Sequence, residues 1–478
     1  MSLRGARVWR VATEEWRALV RNRVAMIASL TLVALLVTSA LLGTEQRNAT
    51  EAARARYQAT ADEAFDAQPD RHPHRMVHYG QFVFRPLSAL AFFDPGVDGF
   101  TGNTVFLEGH RQNSANFSEA RQSSLLLRFG QLTPAFVLQT LAPLLILFLA
   151  FGAVAREREQ GTLRLLLAQG LAPSELAAGK LVAYAGVVAA IAAPALLVLA
   201  AAALAGWAPS APSLLMVSGY LVYLLIWAAA ALLVSLLARR ARDALIVLVA
   251  VWMGGVILAP RILPELALAR LPAPARIETD VAIHQELKQI GDSHNPEDPY
   301  FASFKAKTLA QYGVEKVEDL PVQWGGLVGM EGERLTSGLF DRHAKEAFER
   351  EAGQNRLVRQ FGAVSPLIAV RQLSMSLAAT DTESHQDFLE QVEQHRYRFV
   401  QALNLLQVTK IPNKNAGADP RLSADHWKTL PGFTYRKPEV LQLAGERIHT
   451  NLLVLVCWLA ALLMGCALAA RRLGEATR

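Results

Sequence analysis

Cysteine is almost missing from this chain of 478 residues: Cys457 and Cys466 are its only two, and both lie within one apolar run. Spaced along a single predicted helix, they are poorly placed to bond each other, so neither a disulfide framework nor a CxxC zinc pattern organises the fold. Nucleotide motifs are missing as well. No GxxxxGK followed by Ser or Thr occurs; Gly170 and the Gly179-Lys180 pair are too far apart, and Leu181 follows the lysine. The Leu-Ser-Gly-Gly-Gln signature is also absent. Cradling a nucleotide's phosphates and its magnesium needs those glycines and that hydroxyl, so ATP chemistry is excluded from this sequence. The absence of HExxH and GxSxG removes the zinc-protease and serine-hydrolase arrangements. The excess of positive charge is small, +6 overall, and many of the basic residues flank apolar runs. That placement argues against nucleic acid as a partner.

What the chain has in quantity is apolar sequence, 52% of its residues, concentrated in a few runs. Val24 to Gly43 carries no charge and at ~1.5 Å per residue covers about 30 Å, the thickness of a bilayer's hydrocarbon. A cleaved signal peptide is the rival reading, since Thr38-Ser39-Ala40 offers a small-residue site, but the run is longer than a usual signal core. Further spans are read at Leu132–Ala155, Leu181–Trp207, Leu214–Ala238, Ala244–Pro260 and Asn451–Ala470. The expected fold is an α-helical integral membrane protein with six transmembrane helices and two extracytoplasmic insertions, 44–131 and 261–448, the second mostly α-helical. In the second insertion Thr279–Ile290, Arg342–Gln360 and Asp387–Leu406 have helical apolar spacing, and Asp381 or Thr382 is placed to cap the last. Residues 1–23 set arginines against Trp9, Trp16, Leu19 and Val20 at helical spacing, as in a helix lying at a membrane surface.

Basic residues orient the spans. The N-terminal segment, the 156–180 loop, the Arg239–Arg242 turn and the 471–478 tail fall on one side, and short basic flanks mark the cytoplasm. Both termini are then cytoplasmic, and both insertions lie opposite. All eleven histidines fall outside the spans on that outer side, His449 at its boundary.

The inner loop carries the most specific pattern: Arg156-Glu157-Arg158-Glu159-Gln160-Gly161-Thr162-Leu163, an apolar helix, then Ser174-Glu175 and Gly179-Lys180. Thr162 after Gly161 is a good N-cap candidate, and Leu163, Leu166 and Leu167 form one apolar face. The charges ahead of them offer bonds to a partner. A plain solvated loop is the bland alternative. This pattern resembles the signature of ABC-2 type transporter permeases, in which a charged Glu-x-Gly-Thr segment follows the second span and a Gly-Lys precedes the third. His78-Tyr79-Gly80, Leu107-Glu108-Gly109-His110, Ser365-Pro366 and the His385…Phe388…His395-Arg396 helix are similar to the branch with large insertions after the first and fifth spans. The resemblance implies a permease subunit of the bacterial inner membrane that is not itself an enzyme. It implies a separate cytoplasmic ABC ATPase holding the ATP and magnesium, with no cofactor in this chain. A second permease, identical or related, would complete the unit. Export of an amphipathic substrate is the implied activity. The alternative is a mechanotransmitter that drives periplasmic partner proteins, metal or cofactor maturation being one such task.

Other candidates are weaker. Gln139 and Thr140, with Pro143 bending the second span, sit at membrane depth, where a polar side chain normally faces a cavity or a helix seam. His72, His74, Met76 and His78 alternate at period two; in an extended strand all four share a face suited to a soft metal such as copper, while a solvated loop near Pro69 and Pro73 is the plainer reading. His385, Glu390, Glu393 and His395 read as a solvated helical face, and Tyr184, Tyr220 and Tyr223 as interfacial anchors. No catalytic residue is expected.

Overall fold

The computed structural model describes residues 3–113, 115, 132–293, 295, 297–413 and 420–475. Much of the first insertion's second half, within 116–131, lies outside them. Six of the described helices are long and apolar enough to cross a membrane. Amphipathic α1 (Leu3–Arg21) ends where Asn22 caps α2 (Arg23–Asp66), its side-chain oxygen accepting from the backbone N–H of Val24 and Ala25. At 44 residues, α2 is ~66 Å long, about twice the hydrocarbon thickness, and its polar second half continues past the apolar layer without a break.

The first insertion then folds back as α3 (Pro73–Tyr79) and the antiparallel pair β1 (Gln81–Phe84) and β2 (Thr104–Leu107), with Gln81 opposite Leu107 and Phe84 opposite Thr104. Two strands alone are marginal in water. Here Val83, Val105 and Leu107 are buried against Phe388 and Val392 of the second insertion, which supplies the missing layer.

The bundle continues with α4 (Pro134–Glu159), the short α5 (Thr162–Ala168), α6 (Pro173–Leu204), α7 (Ser210–Leu237) and α8 (Ala241–Arg270). The second insertion contains α9 (Arg276–Ile290), α10 (Pro299–Tyr312), α11 (Trp324–Gly362), α12 (Pro366–Ala378) and α13 (Thr382–Lys410), and α14 (Val440–Glu475) closes the bundle. Asp381 is the N-cap of α13, accepting from the Ser384 N–H. Helix α7 is the hub: it packs against α4, α6, α8, α12 and α14. Of its apolar window 61% is buried inside the chain, against 11% for α8, which leaves most of α8 to lipid or another subunit.

Helix α12 departs from a purely outer insertion. Leu367, Val370, Leu373 and Leu377 join the same buried core as the spans, and Leu373 comes so near α7 that a Cβ on Gly219 would lie 2.5 Å from it. Sequence periodicity did not separate α12 from its surroundings, because thirteen residues of mixed Ser, Arg and apolar character look like any insertion helix. At the opposite end α1 lies along α6. A Cβ on Gly179 would fall 2.5 Å from Val11 Cβ and 2.8 Å from the Val8 carbonyl, so the backbones touch there. A Gly179→Val change should lift α1 off α6. A thiol introduced at Val11 should then label much faster than in the Gly179 background, measured against the natural Cys457 signal.

Candidate coupling elbow and outer cavity

The turn between α4 and α6 is tied down by its own charges. Arg158 reaches the C-terminus of α7, donating to the carbonyls of Leu236, at 2.7 Å, and Ala238. Glu159 accepts from the Ala241 N–H at the start of α8 at 3.2 Å. A cation at a helix C-terminus and an anion at an N-terminus are both favourable, so two adjacent residues clamp the α7–α8 turn. Ser235 of α7 accepts from the N–H groups of Val154 and Ala155, pinning the end of α4. Lys180 lies buried between Glu15 Oε2 at 2.5 Å and Glu157 Oε1 at 2.6 Å, and the Tyr184 hydroxyl donates to Glu15 Oε1. Thus α1, α4 and α6 meet on one ammonium group.

The geometry revises three expectations. Gly161, at φ 77°, is the residue preceding α5; Thr162 is its first residue, donating instead to the Glu157 carbonyl. Leu163 is buried and Leu166 and Leu167 are half-buried, so the apolar face predicted for contact is turned inward. What α5 exposes is Leu165, 64% accessible, with Thr162, Arg164 and Ala168. Leu165, one leucine in a run of three, carried no periodic signal that set it apart. Tyr184, Tyr220 and Tyr223 are all buried within the protein, so their rings do not lie exposed as anchors in lipid head groups.

At the other end of the bundle Gln139 and Thr140 line a cavity of 1730 Å³, bounded by α2, the β-hairpin, α4, α8 and α12. They sit in a π-helical turn, Val137–Leu141. Pro143 has no N–H for the carbonyl four residues back. That carbonyl, of Gln139, accepts from the Tyr223 hydroxyl at 2.7 Å instead, and Trp252 Nε1 donates to the Thr140 carbonyl. The Gln139 amide donates to the Tyr220 hydroxyl, which donates to Ser374 Oγ of α12 at 2.9 Å. A second π-turn, Met253–Leu258 in α8, precedes Pro260, and Ser365 donates to its Gly255 carbonyl at 2.9 Å. Each irregular turn is therefore satisfied from a neighbouring element, as backbone at membrane depth must be.

The cavity wall mixes aromatic and charged groups. Tyr57, Phe82, Phe100 and Phe106 face it, with Arg85 paired to Asp98 at 2.8 Å and with exposed Arg261 and Arg371. Burial pushes the carboxyl of Asp94 up, opposed by bonds from Ser374 and the Gly96 N–H; Asp98 is also raised by burial against the pull of Arg85.

The outer histidines are arranged differently from the predicted extended row. Residues 73–79 form α3, so period-two neighbours diverge. His72 caps that helix, its Nδ1 accepting from the His74 N–H, and Met76 is fully buried beside Phe65 and Trp427. His74 and His78, one turn apart, remain together. On α13, Glu393 and His395 are buried and not solvated: Glu393 binds Arg396 at 2.7 Å, and burial pushes His385 and His395 down to about 4.

A bundle of six apolar helices with a clamped charged elbow at one end and two polar insertions at the other defines a polytopic membrane protein. The model of the ABC-2 family transporter proteins matches residues 9–319, and the chain belongs to that family. A domain of unknown function (DUF3526) matches residues 276–436, most of the second insertion. No curated protein matches the chain.

Two outcomes test this geometry. Lys180→Met leaves two carboxylates facing each other in a buried site and should lower stability in detergent by about 3–5 kcal/mol in denaturant unfolding. Asp94 has a folded pKa above its unfolded value, so it favours the fold at low pH and loses that contribution as pH rises through the folded value. Asp94→Asn should therefore raise the melting temperature at pH 7, with the gain shrinking toward pH 4.

Proposed function

We propose that this chain is the permease half of an inner-membrane ABC-2 exporter, worked by a separate ABC ATPase that binds ATP and magnesium. The observation that carries the reading is the mounting of α5: an exposed Leu165 on a short helix whose flanks are fastened to α1, α6, α7 and α8 through Lys180, Arg158 and Glu159. A push on such a helix is passed to the ends of four others and is not absorbed by a loop. In this reading Arg156, Gly161 and Thr162 stand at the ATPase contact, while Glu157, Arg158, Glu159, Leu163, Leu166 and Leu167 transmit from behind it. The basic flanks put both termini and the elbow in the cytoplasm and the insertions in the periplasm. Two permeases, identical or related, then complete the pathway.

The cavity around Gln139 and Thr140 is the proposed cargo space. Its aromatic wall and exposed arginines fit an amphipathic molecule with an acidic head group. One observation favours the mechanical alternative: Tyr220 of hub helix α7 bonds directly to Ser374 of α12, so motion of the spans reaches the second insertion without any cargo. Replacing Leu165 with Asp should leave the permease folded and abolish its stimulation of the ATPase encoded beside it; unchanged stimulation removes α5 from the coupling. With the partner ATPase in proteoliposomes, ATP-dependent movement of an acidic amphiphile supports export. Motion of a label on α13 without any such transport supports the mechanical reading.

A further inference from the structure

His74 and His78 meet a third histidine distant in sequence. Their Nε2 atoms are 3.1 Å apart, and ligand atoms from His74, His78 and His110 all lie within 4.8 Å of one another. Donors on one tetrahedral zinc, each at ~2.05 Å, stand about 3.3 Å apart. The spacing is therefore that of a shared ion after only a small side-chain adjustment.

The backbone is built to hold this triangle. Helix α3 supplies two imidazoles at i and i+4, on one face. The hairpin supplies the third: beyond β2 the Gly109 N–H donates to the Val77 carbonyl at 3.1 Å, and a Cβ on Gly109 would lie 2.2 Å from Val77 Cγ1, so only glycine permits the approach. The next residue, His110, takes a left-handed conformation at φ 62°, uncommon for a residue with a Cβ. Strain of that kind is held only where surroundings enforce it. Here they do: Glu333 Oε2 of α11 accepts the His110 backbone N–H at 2.9 Å and lies 3.3 Å from its Nδ1.

With Nδ1 turned to a carboxylate, Nε2 is the ligand atom, the arrangement by which metal-binding histidines are oriented and made more basic. The carboxylate is itself fixed. Arg396 Nη1 binds Glu333 Oε1 at 2.6 Å and also donates to the Glu108 carbonyl in the hairpin turn, and Ser337 donates to Glu333 Oε1 at 3.1 Å. Glu333 is fully buried.

We propose that His74, His78 and His110 bind one borderline divalent cation of the zinc class, which ties α3 to the segment after β2 and is oriented by Glu333 of the second insertion. Three imidazoles without a thiolate or thioether suit zinc, with copper(II) as its strongest competitor, and Met76, pointing into the core, takes no part. His78 is exposed, so the fourth position opens to solvent and the ion can exchange or receive a further ligand. This site does not rest on the export reading; it requires only the fold of the insertions.

The test uses the full chain in detergent, purified without a polyhistidine tag and stripped with chelator. Titration with cobalt(II) should give the intense visible bands of a tetrahedral ion, displaced by one equivalent of zinc. His78→Ala, at an exposed position, should lose these bands and at least tenfold in zinc affinity while melting like the parent when metal-free. Glu333→Gln should weaken zinc 10–100-fold, and His284→Ala, removing an exposed imidazole of α9, should change nothing. Absence of a stoichiometric site, or equal binding by the His78→Ala variant, overturns the proposal. So does equal loss in His284→Ala, which would mark diffuse binding by surface imidazoles.

Discussion

Lys180 lies in the half of the bundle that carries the elbow, with Glu15 on one side and Glu157 on the other. An ammonium removed from water costs several kcal/mol unless it is paired well, and two carboxylates so close repel unless something stands between them. Each group is thus tolerable only in the presence of the other two. That mutual requirement fixes α1 against α6, brings the end of α4 to the same point, and makes the elbow a rigid piece. Arg158 and Glu159 extend it to α7 and α8. The close passage of α1 over Gly179 is the steric counterpart of the same contact.

At the end of the bundle away from the elbow the governing constraint is different. Pro143 leaves the Gln139 carbonyl without its usual donor, and the π-turns before Pro143 and Pro260 lie in a region with no water to donate to their carbonyls. Tyr223, Trp252 and Ser365 supply donors from other helices. The π-turns therefore join neighbouring elements, and they open the cavity wall at Gln139 and Thr140. Because Ser374 completes this network through Tyr220, the second insertion is continuous with the bundle.

Parts of this were legible in the residues. Uncharged runs give the spans because hydrocarbon tolerates little else, and the Arg156–Lys180 pattern located the elbow. The carbonyl freed by Pro143 was foreseeable from its missing N–H. The roles of the elbow's charges were not. A run of alternating Arg and Glu looks equally suited to a partner or to the protein's own helix ends. The period-two row from His72 to His78 reads as one face of an extended strand, and the residues are helical instead. Pro73 at the first helical position starts a turn of helix, which sends Met76 inward and keeps only His74 and His78 on a face.

Sequence by itself determined the apolar spans and the charged elbow between two of them, because hydropathy and motif spacing are properties of neighbouring residues. Tertiary structure alone decided that Lys180 finds Glu15, 165 positions away, that Glu333 reaches His110 across 223, and that Leu165 and not Leu163 faces outward. Those choices follow from how helices pack, and a packing contact leaves no periodic trace along the chain.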